Sequence, residues 1–317
     1  MAGRVDRSAD HREPGRAIGG HGAKQLSEQP SIGALWRGWR DVLARLGFET
    51  AALDAKILVG QALGLDALAL ATREQEPVTD GQAALVADLL QRRMTGQSVA
   101  RILGEKEFFG LPFGLNGATL EPRPDTELLV ELAIKALPES GQFLDLGTGT
   151  GCIPIAILAN RPDAHALATD INPDALEMAR LNAARHGVAD RLTFAQGSWF
   201  GALHVTSPIG ECGFDLITSN PPYIASAVVE TLASEVKDFD PRLALDGGPD
   251  GLAPYRIIAA AATAHMAGGG QILVEIGHDQ GESVRALFAG HGFADIAVHK
   301  DINGLDRVIQ AHHLKGQ

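Results

Sequence analysis

The 317-residue chain is expected to fold as an α/β protein. Its sheet should hold seven mainly parallel strands and end in an antiparallel hairpin, with a small all-helical domain in front. Three observations carry this expectation. Between residues 32 and 96 apolar side chains recur at steps of three and four, the spacing of one helix face. From about 125 onward short apolar runs alternate with helical stretches, which implies parallel strands covered by helices on both sides. The last two apolar runs are joined by the short turn Asn303-Gly304, a tight-hairpin signal.

Taken in order, residues 1–30 are rich in Gly, Arg, Asp and His and lack apolar periodicity, so they read as a disordered tail. Leu35, Trp36, Trp39, Val42, Leu43 and Leu46 line a first helix that Gly47 stops. Leu53, Ile57, Leu58 and Leu63 line a second, stopped by Gly64. A third starts at Thr79, where Gln82 completes a capping box, and ends near Gly96. These make a helical domain over 31–98, with Trp36 and Trp39 in its core. Residues 99–124 hold Gly, Pro and aromatic residues without helical period and read as a β-hairpin linker. The remainder, 125–317, carries candidate strands at 143–147, 165–170, 192–197, 214–220, 271–277, 293–300 and 307–313. Helices are expected between them at 153–160, 173–186, 251–266 and 279–290.

Composition removes several classes of function. With 45% hydrophobic residues the chain can build a real core. Its net charge of -12 argues against a direct nucleic-acid partner, because phosphate binding rests on Lys and Arg. Two cysteines, Cys152 and Cys212, cannot make a disulfide framework or a cysteine-rich zinc site, and the histidines have no metal-ligand spacing, so no metal is expected. No apolar run reaches the ~18 residues of a membrane span, and the N-terminus has no compact signal core. The expected compartment is the cytoplasm.

Two motifs carry chemistry. The segment Gly147-Thr148-Gly149-Thr150-Gly151 ends a strand and opens a helix. Glycines there let the backbone turn tightly and a ligand approach closely, with helix N–H groups beyond. Neither the dinucleotide pattern nor the Walker pattern is satisfied, so the loop fits a nucleoside ligand without a pyrophosphate. Asp170, at the end of the second strand, stands where an acid reaches a ribose diol; it could also cap the helix after Asn172-Pro173. The second motif is Asn220-Pro221-Pro222-Tyr223, following the fourth strand. The Asn220 side-chain oxygen and the Pro221 carbonyl can both accept from one planar NH2 group, and the Tyr223 ring can cover it. Glu275 is an acid in an otherwise apolar strand, either facing the crevice or pairing with an arginine.

Together the glycine loop, the acid and the Asn-Pro-Pro-Tyr tetrad resemble the S-adenosylmethionine-dependent amino methyltransferases. The blocks ILGEKEFFGLPF, PRPDTE (122–127), FDPRLALDGGPDGLAPYRII (239–258), GGQILVEIGHDQ and KDINGLDRVI further resemble the release-factor glutamine N5-methyltransferases, the HemK/PrmC family, from about 32 to 313. The resemblance implies a Rossmann-like methyltransferase fold and S-adenosyl-L-methionine as cofactor. It also implies methylation of the glutamine in the Gly-Gly-Gln motif of peptide chain release factors, with the helical domain recognising that substrate. Gly147, Thr148, Gly149, Thr150, Gly151, Asp170, Trp199 and Asn220 would hold the cofactor, Trp199 against the adenine. Asn220, Pro221, Pro222 and Tyr223 would hold the amide, with Asn220, Pro221 and Tyr223 catalytic. DNA or RNA amino methyltransferases share the tetrad, and ribosomal-protein glutamine methyltransferases carry a different segment in place of PRPDTE. Arg101 and Leu120-Glu121 stand where the family usually has Tyr and an Ile-Pro pair.

Overall fold

Short polar side chains set where the N-terminal helices begin. In the computed structural model, which describes residues 29–204 and 213–313, these are α1 (Ile32–Arg45), α2 (Ala51–Leu63), α3 (Ala67–Thr72), α4 (Asp80–Met94) and α5 (Val99–Leu103). The expected tail, but for Gln29 and Pro30, lies outside the described residues, as does Cys212. Ser31, Asp66, Thr79 and Ser98 each accept the backbone N–H three residues on, satisfying donors that a helix start leaves open. Both halves of the Thr79–Gln82 capping box form. Sequence periodicity showed three helices; α3 and α5, of six and five residues, are too short to display a period. Leu43, Leu58, Val86 and Leu90 are fully buried between the helices with Trp36, while Trp39 packs at the edge, half-buried.

Only part of 99–124 is hairpin, because α5 takes its first residues. Strands β1 (Glu105–Phe108) and β2 (Leu111–Gly114) pair antiparallel. They put Phe108 and Phe113 into the same apolar cluster as Leu129 and Phe143. The next helix, α6 (Glu127–Ala136), was not expected from the sequence.

The sheet is built from β3 (Gln142–Leu146), β4 (His165–Asp170), β5 (Leu192–Gln196), β6 (Phe214–Ser219), β7 (Met266–Glu275), β8 (Phe293–Lys300) and β9 (Asp306–His313). Between them run α7 (Cys152–Asn160), α8 (Pro173–Arg185), the short α9 (Ser226–Val229) and α10 (Ser234–Lys237), α11 (Ala253–Ala261) and α12 (Gly281–Gly290). The strand order is β5-β4-β3-β6-β7-β9-β8. All pairs are parallel except β7–β9 and β8–β9, so the seven-stranded sheet with its antiparallel end is as the sequence predicts. The final connection spans Asp301–Leu305, with Asp301 accepting from the backbone of Asn303 and Leu305.

One boundary is displaced. The helix expected over 251–266 ends at Ala261 and continues as a 3-10 turn to His265, and β7 starts at Met266 rather than 271. Gly268, Gly269 and Gly270 sit in a register shift, with Met266 opposite Phe214 and Gln271 opposite Leu216. Such a glycine run reads as loop but is tolerated at a bulge.

The faces of the sheet pack differently. Phe143 looks toward the hairpin, α6 and α7, and Leu144 and Leu146 toward α11 and α12. Each of these fully buried side chains contributes roughly 1.5–3 kcal/mol of transfer free energy. Strand order reverses at β3, which has β4 on one side and β6 on the other. Ligands in open α/β sheets bind outside the carboxyl ends of the strands at such a point, and both motifs emerge there. Among the described residues no helix is long and apolar enough to cross a membrane.

Candidate active site

The glycine loop is shaped by backbone geometry that only glycine adopts cheaply. Gly147, Gly149 and Gly151 have φ of 72°, 55° and 79°, all left-handed. The N–H groups of Gly147 and Thr148 both donate to the Thr169 carbonyl at 2.9 Å, fastening the loop to β4. The glycines then divide their roles. A Cβ on Gly149 would meet no protein atom within 4 Å, whereas one on Gly151 would lie 2.9 Å from Ile155 Cδ1 and 3.1 Å from Ala179 Cβ. Gly149 thus keeps space free on the ligand side, and Gly151 lets α7 approach α8.

Asp170 organises this loop. Its Oδ2 accepts from Gly149 N and its Oδ1 from Asn172 N, each at 2.9 Å. The cap of α8 is Asn172, whose side chain accepts from Asp174 N at 3.0 Å, so capping is not the office of Asp170.

The second motif is tied to β3 by side chains. Ser219 donates to the Leu146 carbonyl at 2.8 Å and Thr218 to Asp145 Oδ1 at 2.7 Å. Asn220 donates its Nδ2 to the Thr126 hydroxyl at 3.2 Å, which leaves its amide oxygen as the atom able to accept from a ligand. Tyr223 turns its hydroxyl toward Glu275 Oε1, 3.5 Å away, and Gln280 Nε2 donates to its carbonyl at 2.9 Å.

A cavity of about 220 Å³ opens between the motifs. Gly147, Thr148, Gly149, Thr150, Asp170, Trp199, Asn220 and Pro222 line it; Gly151, Pro221 and Tyr223 do not. Trp199 holds φ at 48°, a strained value for a bulky residue. The far wall comes from the linker, with Leu120, Glu121, Pro122, Arg123 and Thr126, and from Pro241, Leu243 and Ala244.

That far wall is pinned by charges that sequence reading did not connect. Arg101 donates to Asp240 Oδ1 at 2.6 Å, and Arg123 to Asp240 Oδ2 at 2.7 Å. Glu121 accepts from Ser98 and lies 3.7 Å from Arg101 Nε. Arg101 also donates to the carbonyls of Asn116 and Thr119. The two departures from the family pattern, one basic and one acidic, are therefore partners. Their opposite charge was the available signal.

Burial perturbs the acids around the site. It pushes the Asp145 carboxyl up to about 6, against the Thr218 hydroxyl and helped by neighbouring Asp170. It likewise pushes the Cys152 thiol up to about 12, which disfavours the reactive thiolate. Glu275 is raised to about 7 by burial, although the nearby Thr126 and Tyr223 hydroxyls and Arg307 favour its charge. It does not line the cavity, and among the described residues it forms no ion pair. Arg307 pairs instead with Asp125 and Asp301, at 3.1 Å each.

A doubly covered parallel sheet with an antiparallel end, a glycine loop beside an acid, and Asn-Pro-Pro-Tyr at the switch point define a Rossmann-like methyltransferase. Residues 34–104 match the family model of the PrmC N-terminal domain, and residues 123–238 that of the methyltransferase small domain. A release factor glutamine methyltransferase of Agrobacterium fabrum is 43% identical over 276 residues, covering 85% of this chain and 93% of its own. That of Cereibacter sphaeroides is 44% identical over 269 residues, covering 85% and 94%. The chain belongs to the release factor glutamine methyltransferase family. Among solved structures, the hMettl16 catalytic domain in complex with a MAT2A 3′UTR hairpin aligns with a TM-score of 0.51. At 15% identity, over 75% of this chain and 83% of that one, this is a likeness of fold.

Proposed function

We propose that the chain transfers a methyl group from S-adenosylmethionine to the side-chain amide nitrogen of the glutamine in the Gly-Gly-Gln motif of peptide chain release factors. The observation that carries this reading is the commitment of Asn220 Nδ2 to Thr126. It leaves an amide oxygen at the wall of a cavity whose other side is the glycine loop and Asp170.

The residues present fit the cofactor. Thr148 Oγ1 is buried at the cavity wall near the Asp145 carboxyl and makes no hydrogen bond of good geometry among the described residues. Gly149 leaves open the space a Cβ would take, and Asp170 offers a carboxylate to a diol. Thr148, Gly149, Asp170 and Trp199 would hold the nucleoside. When bound, the cofactor supplies a methyl group activated by a positively charged sulfur.

An amide nitrogen is a poor nucleophile, because its lone pair is delocalised into the carbonyl. Asn220 and the Pro221 carbonyl would accept its two N–H bonds, favour a pyramidal nitrogen and aim its lone pair. That is orientation and preorganised electrostatics, and no residue is assigned as general base; the proton leaves to solvent. A single amide offers little binding area, so affinity for a whole protein must come from elsewhere. The helical region over 31–98 would supply it, and Leu46, Leu53, Ile57 and Leu85 are exposed there.

The test is to incubate the protein with S-adenosylmethionine and an intact release factor and read the mass of the glutamine peptide. Gain of one methylene on that glutamine is expected. Methylation of duplex DNA or RNA with the release factor untouched would overturn the reading.

A further inference from the structure

Glu275 is fully buried, next to the site but outside it, and among the described residues its Oε2 makes no hydrogen bond of good geometry. A bare acceptor in the interior costs free energy unless a donor is aimed at it. Thr126, also buried, lines the cavity that Glu275 does not reach, and its hydroxyl lies within hydrogen-bonding range of the Glu275 carboxylate. Donor and acceptor accounting then fixes a direction. The Thr126 oxygen accepts from Asn220 Nδ2, so its own hydrogen is free to be donated. The charged acceptor beside it is Glu275. An ionised Glu275 is acceptor-only and can take that hydrogen. A protonated Glu275 can instead donate to Thr126, whose own hydrogen is then released to be donated to Asn220 Oδ1, so that either face of the Asn220 amide fits against Thr126. Asn220 would then lose what distinguishes its nitrogen side from its oxygen side.

Resting on the proposed reaction, we infer that Glu275 is a positioning residue. Acting through the Thr126 hydroxyl, it turns the Asn220 amide so that oxygen, not nitrogen, faces the substrate amide. The surroundings leave Glu275 as the group to titrate. Facing it are the Tyr223 hydroxyl, Arg307 of β9 with its partners Asp125 and Asp301, Cys152 of α7, and Tyr255 of α11. Tyr255 donates to the Glu275 backbone carbonyl at 2.8 Å. Burial holds both tyrosine hydroxyls above their ordinary value and the Cys152 thiol near 12, so they stay neutral. Arg307 is raised and stays charged. Burial places the Glu275 transition at about 7. The orienting device is therefore lost as pH falls through neutrality.

The experiment compares wild type with Glu275→Gln, Thr126→Val and Thr126→Ser. Glu275→Gln and Thr126→Val should each lower kcat about 10- to 100-fold, the range for outer partners that orient a ligating group. KM for the release factor and affinity for the cofactor should hold. Thr126→Ser should keep near-wild-type kcat, and the variants should not be additive in combination. The wild-type rate should rise with pH through about 7, and that limb should vanish in Glu275→Gln. A second reading needs no turnover: the Asn220 side-chain amide signal in 15N spectra, assigned by its loss in Asn220→Ala, should titrate over the same range and be static in Glu275→Gln. A wild-type kcat in Thr126→Val, or an Asn220 amide signal indifferent to pH, would overturn the assignment. If the wild-type chain fails to methylate a release factor, the proposed reaction falls, and the amide titration still decides whether Glu275 orients Asn220.

Discussion

Replacing Asp170 by asparagine probes the proposed cofactor wall most directly. The two carboxylate oxygens accept different backbone N–H groups, Gly149 on one side and Asn172 on the other, at 2.9 Å each. A carboxylate accepts on both sides and a carboxamide on one. However the asparagine is turned, its NH2 opposes one of those N–H donors. The variant therefore loses one loop contact, sets donor against donor, and gives up half of its capacity to accept a ribose diol. Loss of a charge-assisted hydrogen bond costs about 1.5–3 kcal/mol, which is about 10- to 150-fold in Kd. Asp170→Ala loses both loop contacts but puts no donor in their place. We therefore expect Asp170→Asn to weaken S-adenosylmethionine binding about as much as Asp170→Ala, not by an intermediate amount. Titration calorimetry on the folded variants measures this directly. Wild-type affinity in Asp170→Asn would refute the two-sided acceptor argument.

Asn220→Ala should slow methylation by about 10²–10³-fold, comparable to losing one preorganised group, with cofactor affinity changing less than the rate; single-turnover rates at wild-type level would remove Asn220 from the reaction. For Asp145, burial moves the carboxyl from 3.8 to about 6. The folded state thus prefers the neutral acid, and stability is full below 3.8 and lost as pH rises through about 6. That shift corresponds to about 3 kcal/mol, so urea midpoints of Asp145→Asn should gain on wild type as pH rises from about 4 to about 6.5 and keep that gain above it; a constant gap between the two profiles across that rise would contradict this. Arg101→Ala leaves Glu121 and half of Asp240 uncompensated and should destabilise by about 3–5 kcal/mol, read by thermal unfolding. Arg101→Tyr joined with Glu121→Pro should recover most of the stability that either change loses alone; strict additivity would show the two sites to be independent. Charged replacements at Leu53 and Ile57, one turn apart on an exposed face of α2, should raise KM for an intact release factor and leave a short glutamine peptide unaffected, and equal KM values would remove that face from docking.

The sheet was legible because its strands are short apolar runs, most with a Gly, Pro or Asn close to an end, and the two motifs were legible because each is contiguous. What escaped was either too short or too distant. Helix α6 follows a Pro124–Thr126 3-10 turn, and Thr126 makes no side-chain cap for it. A threonine does stand at the start, but its hydroxyl takes a hydrogen bond from Asn220, 94 residues away, instead of capping the helix. Arg101 and Asp240 are 139 positions apart, and nothing local in either segment announces the other. Glu275 did stand out as an acid in an apolar strand. One sequence offered a crevice or an arginine as its destination, and the tertiary packing chose a tyrosine and a threonine hydroxyl instead. Gly151 sits in the same pattern as Gly149 yet answers to α8 packing, a difference set by neighbours that are not adjacent in sequence.

The hold of Asp170 on Gly149 bears on how the enzyme would be throttled. The loop is already shaped by the acid that would receive the ribose, so little rearrangement is left for the ligand to drive. Gly149, Asp170 and Trp199 would all address the nucleoside end, which is the same before and after methyl transfer. The spent cofactor would then occupy the site through the same contacts as the fresh one. Turnover would follow the ratio of the two in the surrounding pool rather than the amount of either, making the enzyme a competitive reader of methyl-donor supply.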